Sequence, residues 1–158
     1  MNMAIGIPSL SVQGLVERIG AHEVSPGAGS AGAVALALAA ACARKAVSVS
    51  LSHAPEDAEL QAAGASFDEI ARLALSDAER DSEAFKAFVR RRDPAAVDRL
   101  VSEGEHVAHL IGALSDAIVR IEKKIRPNMA GDLVAARALL TAASCIQRRN
   151  EEEALQAR

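Results

Sequence analysis

Two carboxylates in this sequence fall where apolar side chains would be expected, and carboxylates on an inward face are groups that can move protons at a buried centre. Between Glu56 and Arg91 the apolar positions Phe67, Ile70, Ala71, Ala74, Ala78, Phe85 and Phe88 recur at helical spacing. At about 100° per residue, Asp81 lies within roughly 20° of Ala74 and Phe85, in the middle of that stripe. Asp77 lies at the edge of the same face. Burying an unpaired carboxylate is costly, so Asp81 needs a cation, several donors or a raised pKa. A hydrogen-bond role in helix packing and a role in proton transfer both satisfy that need. Nearer the C-terminus, Asp132 shares a stripe with Ala136, Leu139, Ala143, Ile146 and Asn150. It also falls in the first turn of its helix, where the dipole alone favours a carboxylate. Asp132 and Asn150 share an azimuth, but the intervening helix sets them about 27 Å apart, so they cannot serve one site within one chain.

A second feature with chemical potential is the turn Pro26-Gly27-Ala28-Gly29, which runs into Ser30 and then into Ala31–Ala43, where no residue is polar. Ser30 is expected to cap the helix that follows. The free N–H groups of that first turn, with the helix dipole behind them, favour an anion. His106 and His109 stand three residues apart on the face opposite their helix's apolar stripe and read as surface residues; His22 and His53 have no evident partner. Cys42 and Cys145 have no metal or redox spacing and read as buried reduced thiols, so no metal site is expected.

These residues need helices to hold them. A loose arm over residues 1–9 precedes a first helix marked by Leu10, Val12, Leu15, Val16 and Ile19 and ending near Gly20. The Ala-rich helix from Ser30 ends near His53, because Pro55 disfavours helix at the residue before it. It is apolar on all sides and built of small residues, which puts it in the middle of a bundle. A third helix spans about Glu56 to Arg91, with Pro55 in its first turn. Asp93 and Pro94 form an N-cap and N1 pair opening a fourth, regular in Val97, Leu100, Gly104, Val107, Ile111, Leu114, Ile118, Ile121 and Ile125. Asn128 can cap a last helix from about Met129 to Gln156, charged from Arg148 and expected to fray over residues 151–158.

The 158 residues, half of them hydrophobic, suffice for one domain with a real core. Phenylalanine is the only aromatic residue, which argues against a β-sandwich or a base-stacking surface. A net charge of −3 with mixed signs gives no footprint for nucleic acid or an anionic membrane. The N-terminus lacks a signal-peptide pattern and the apolar run is short for a bilayer, so a cytoplasmic location is expected. The expectation is an all-α, single-domain, up-and-down bundle of about five helices over residues 1–158. A central helix without large side chains points further to a homodimer.

Three segments, in order, resemble the cyclodeaminase family, which comprises the cyclodeaminase domain of formiminotransferase-cyclodeaminase and the stand-alone methenyltetrahydrofolate cyclohydrolases. They are Pro26-Gly27-Ala28-Gly29-Ser30 with its Ala-rich helix, Asp81-Ser82-Glu83-Ala84-Phe85, and Arg126-Pro127-Asn128-Met129-Ala130-Gly131-Asp132. Asn150 falls where the family's closing Asn-Val-Arg-Ile-Asn begins. The chain differs at Ala28, where the family has a third glycine, and at Leu51–Glu56, where the family often has Gly-Lys-Lys and an aromatic residue. The resemblance implies an all-helical dimer acting on tetrahydrofolate one-carbon derivatives, as cyclohydrolase or cyclodeaminase, without a metal or redox cofactor. It implies Asp81 and Asp132 as the catalytic pair, Asp81 as acid or base and Asp132 orienting with Asn128, the division of acid and base between the two aspartates being open, and Gly27, Gly29, Ser30 and Asn128 as contacts to substrate. A non-catalytic dimeric binding module of the same fold is the alternative.

Overall fold

The computed structural model describes residues 6–91 and 94–156. Among the described residues there are five α-helices: α1 (Val12–Gly20), α2 (Ala28–Leu51), α3 (Ala58–Arg91), α4 (Pro94–Ile121) and α5 (Ala130–Gln156). Short 3-10 turns occupy Ile7–Ser9, Glu122–Lys124 and Pro127–Met129, and there is no strand among the described residues. Two of them, α1 and α3, start where a side chain takes up free N–H groups. The Ser11 hydroxyl accepts from the Gly14 N–H at 3.0 Å, and Asp57 Oδ1 accepts from Glu59 and Leu60 at 3.0 and 3.1 Å. Asp57 is thus the cap of α3, and Pro55 lies in the turn before it rather than in the helix.

The four long helices run up and down. Ser30 on α2 meets Ala78 on α3 while Arg44 meets Asp68, so these two are antiparallel. Gly32 lies against Ile146 of α5 while Lys45 meets Asp132, so α5 is antiparallel to α2 as well. α4 closes the ring, touching both α3 and α5. Small residues let α2 sit close to its neighbours: a methyl group at Gly32 would come within 2.9 Å of Ile146 Cγ2. Around Ala39, Ala40, Ala43 and Ala46 gather Leu60, Phe67 and Ile70 from α3, Leu114 and Ile118 from α4, and Leu133 and Leu140 from α5. Each fully buried side chain of this size contributes about 1.5–3 kcal/mol.

One face of α2 has no cover among the described residues. Leu38 is 52% exposed in the middle of this helix, with Ala41, Lys45 and Ser48 exposed along the same side. Val134 on α5 is 68% exposed. By length and composition alone, Ala28–Leu51 and Pro127–Gln156 would pass for membrane spans. Here α2 lies between α3 and α5, and the second segment carries Arg137, Arg148 and Arg149.

Several expectations are corrected. The arm is anchored at Ile7, which is buried and whose N–H is held by the Glu79 carboxylate. α4 ends at Ile121 rather than Ile125, and α5 stays helical through Gln156. The buried face of α5 is Leu133, Ala136, Leu140, Ala143 and Gln147, about one residue round from the expected stripe. That turn buries Leu133 and Leu140 and leaves Asp132 at the boundary, where solvent reaches it. Cys42 is half-buried and Cys145 exposed. The expected cap Asp93, residues 1–5 of the arm and residues 157–158 lie outside the described residues.

Candidate active site

At one end of the bundle the first turn of α2 faces the middle of α3, and a cavity of about 280 Å³ opens between them, the N-terminal half of α4 and the end of α5. Its floor is built around Asp81. The Ser30 hydroxyl lies 3.1 Å from Asp81 Oδ2 and 3.1 Å from the Ala78 carbonyl oxygen, so its single proton is shared between two acceptors. The Ser30 backbone N–H also donates to the carboxylate. Ser30 is therefore not the helix cap. Gly27 holds that position, and Ser30, two residues into the helix and buried, turns its hydroxyl across to α3.

Gly29 is the closest wall of the site. A methyl group there would overlap both oxygens of Asp81, so only glycine lets the carboxylate lie flat against the helix start. The loop before it is held by a hydroxyl–hydroxyl bond of 2.7 Å between Ser25 and Ser82, both buried. Ala28 is the first residue of α2. A helical backbone suits alanine as well as glycine, so its place in the turn imposes no strain.

The electrostatics of Asp81 are those of a desolvated acid. Burial pushes its carboxyl above the ordinary value of 3.8, the bonds from Ser30 act the other way, and the negative charge of Glu103 raises it further. No cation among the described residues pairs with it. A carboxyl so placed holds its proton more readily than a surface aspartate.

Beside it runs a second polar cluster that own-helix periodicity did not reveal. Asp77 is 1% exposed, deeper than Asp81, and lines the same cavity. It accepts from His106 Nδ1 at 2.9 Å and from Arg80, whose Nε lies 3.2 Å from Glu103. An ionised carboxylate only accepts, so Nδ1 of His106 carries the hydrogen. His106 is thus a cross-helix partner and not the free surface residue its own helix suggested; His109 is exposed. Gly104, in the α4 stripe, lies against Gln147 of α5 and gave no sign of this pair.

The structure gathers Gly27, Gly29 and Asp81, with Asn150 from α5, around one cavity, and Ser30 bonds to Asp81 from behind. It does not bring Asp132 or Asn128 there. Asp132 pairs with Lys45 at 3.4 Å, and Lys45 is about 22 Å along α2 from Ser30. Asn128 is exposed in the turn that docks on the far end of α2, where the Arg126 N–H donates to the Ser50 hydroxyl at 3.1 Å. Within one chain the two aspartates cannot act together. No group of three or more His, Cys, Asp or Glu side chains among the described residues is arranged to hold a metal ion.

Comparison with known proteins agrees with this architecture. The crystal structure of formiminotetrahydrofolate cyclodeaminase from Thermotoga maritima superposes with a TM-score of 0.88 at 19% identity, over 95% of this chain and 80% of that one. No curated protein sequence matches the chain. The sequence model of the formiminotransferase-cyclodeaminase family matches residues 11–99, a span that includes α1, α2, α3 and the carboxylate at position 81. The chain is therefore a member of the formiminotransferase-cyclodeaminase family.

Proposed function

We propose that this protein is a folate one-carbon enzyme that makes or opens the bridge between N5 and N10 of tetrahydrofolate, with Asp81 as the group that transfers the proton. In the cyclodeaminase direction N10 attacks the formimino carbon and loses its proton, and ammonia leaves once its nitrogen is protonated. In the cyclohydrolase direction water adds to the methenyl carbon and loses a proton, and a ring C–N bond breaks as its nitrogen is protonated. Both are proton-transfer problems, so the chemistry asks for no metal or redox cofactor. The observation that carries the reading is a desolvated carboxyl with no cation partner, held at a helix N-terminus on the floor of a cavity. Gly27, Gly29 and Ser30 shape that floor, and Ala28 stands at a helical position that accepts alanine.

The assembly in this reading is a homodimer formed through the uncovered face of α2. Leu38 lies midway between Ser30, at the Asp81 end, and Lys45, which holds Asp132. A two-fold axis near Leu38 would lay the second copy's Lys45–Asp132 pair alongside Ala31, next to the Gly27–Ser30 turn, and so restore Asp132 and Asn128 to an orienting role across the interface. Soluble folates as substrates are consistent with a cytoplasmic enzyme.

The test is hydrolysis of methenyltetrahydrofolate, followed by loss of its absorbance, beside formation of the same compound from formiminotetrahydrofolate. Turnover of either, lost in Asp81→Asn, is the expected result. Binding without turnover in either assay would overturn the enzyme reading in favour of a binding module, and absence of binding would overturn the folate reading altogether.

A further inference from the structure

The long helices form a ring in the order α2, α3, α4, α5, with α5 closing on α2. Asp81 stands at the seam between α2 and α3, where it meets Ser30 and Gly29. Across the ring is the seam between α4 and α5, and there Gln147 lines the same cavity. A methyl group at Gly104 of α4 would come within 2.7 Å of Gln147 Nε2, so glycine at that position lets the carboxamide lie against α4. The cavity thus has polar groups on two opposite walls.

Gln147 is 8% exposed, yet only the nitrogen of its carboxamide is engaged. Nε2 donates to Glu151 at 3.1 Å. A carboxylate only accepts, so that bond fixes the nitrogen toward Glu151 and turns the oxygen the other way. Oε1 has no hydrogen-bond partner among the described residues, and no fully buried polar side-chain atom among them is left without one. The oxygen is therefore open to the cavity that Gln147 lines, as an acceptor that a bound ligand can satisfy. The other polar side chains of this wall are served already. Glu103 is engaged by Arg80 at 3.2 Å, and Asn150 and Glu151 are half-exposed, where water reaches them.

The ring system of a folate carries the matching group. Its 2-amino substituent lies at the end of the bicycle remote from N5 and N10 and presents N–H donors. At about 280 Å³ the cavity falls at the low end for small-molecule sites, so a bicycle with its reacting nitrogens at Asp81 extends across to the α4–α5 seam. Building on the folate reading above, we propose that Gln147 is a specificity-determining residue whose carboxamide oxygen accepts from the 2-amino group of the ligand's pteridine ring. It meets the ring away from the reacting bond, so its contribution is to binding and not to the chemical step.

The experiment is calorimetric titration of the full chain with 5-formyltetrahydrofolate, a ligand that neither reaction consumes directly, and with its 2-desamino-2-methyl analogue. The wild-type chain should bind the amino compound about threefold to tenfold tighter, as the loss of one uncharged hydrogen bond predicts. In Gln147→Met, which keeps the length of the side chain and removes its polar atoms, the gap should close, and KM should rise by the same factor with kcat near wild type. Gly104→Ala is the second variant, since its methyl displaces the same amide while the helix gains a better helix former; there too the gap should narrow. Equal binding of the two ligands by the wild-type chain would overturn the proposal and leave the folate reading standing. So would a full gap in either variant, or a fall in kcat in Gln147→Met as large as that in Asp81→Asn. Failure of the wild-type chain to bind either ligand would overturn both.

Discussion

The two ends of α2 present the same side chain in opposite circumstances. At the N-terminal end Asp81 faces Ser30 and Gly29, has no cation partner, and is pushed by burial toward its protonated form. About 22 Å along the helix, Asp132 stands at the edge of the bundle with the ammonium of Lys45 at 3.4 Å. The second arrangement is ordinary: a partly exposed ion pair contributes about 0–1 kcal/mol and is screened by salt. The first costs desolvation of a charge, which the two bonds from Ser30 offset only in part, since the carboxyl is still raised. In the proposed reading, a carboxylate held against its own solvation is one whose function outweighs its cost to stability.

The most direct way to break that comparison is to neutralise each carboxylate in turn. Asp81→Asn should lower kcat by about 10²–10⁴-fold, as loss of a general acid or base does, while circular dichroism stays that of a helical bundle. The same variant should match or exceed the wild-type Tm at neutral pH. The sign follows from linkage: a carboxyl raised above its ordinary value binds more protons folded than unfolded. Its ionisation therefore removes stability as pH rises from about 3.8 through the folded pKa. The Tm difference between Asp81→Asn and wild type should accordingly grow with pH across that window. A variant less stable than wild type at pH 7 would show Asp81 to be structural.

Next in size is Gly29→Ala. Alanine suits a helix start, so the backbone should accept it, but its methyl would occupy the space of the Asp81 oxygens. Displacing a reacting group by about 1 Å costs on the order of 10²-fold in rate. In the double variant Gly29→Ala/Asp81→Asn the two losses should fail to multiply, because they act on one group. Independent losses would mean that Gly29 serves substrate directly and not the carboxylate.

How much of this was legible follows from which interactions lie within one helix. The periodicity of apolar residues along α3 and α4 located both helices and placed Asp81 inward, because a helix's own stripe defines its buried side. The family turn was legible too, though not its detail. Gly27, rather than Ser30, precedes the first helical turn, and Ser30 spends its proton on α3 instead of on its own helix. On α5 the buried face lies about one residue round from the sequence stripe, since small residues at Ala135, Ala136, Ala142 and Ala143 leave two faces equally apolar until Leu133 and Leu140 find the core. The Asp77–His106 pair was not legible, because nothing in either helix alone says which turn of α3 meets which turn of α4. Its removal makes a stability prediction: His106→Ala leaves the buried Asp77 with Arg80 alone, and should cost about 1–3 kcal/mol in denaturant unfolding with a smaller effect on kcat than Gly29→Ala. A loss of kcat equal to that of Asp81→Asn would instead make His106 part of the chemistry.

The smallest expected effects fall at the other end of α2, and they sharpen the contrast most. If two copies meet about Leu38, light scattering should give twice the mass of the 158-residue chain, and Leu38→Glu should return the monomer with its helices intact. Asp132→Asn should then change stability by less than about 0.5 kcal/mol, as loss of a weak exposed pair does. It should raise KM about threefold to tenfold with kcat near wild type, because a group that orients substrate across an interface contributes to binding and not to proton transfer. In the Leu38→Glu background the same substitution should have no further effect on KM, since the second copy is no longer beside the site. An equal KM effect in the monomer would remove the two-fold axis from Leu38, and no KM effect in either background would reduce Asp132 to the surface ion pair that its own chain presents.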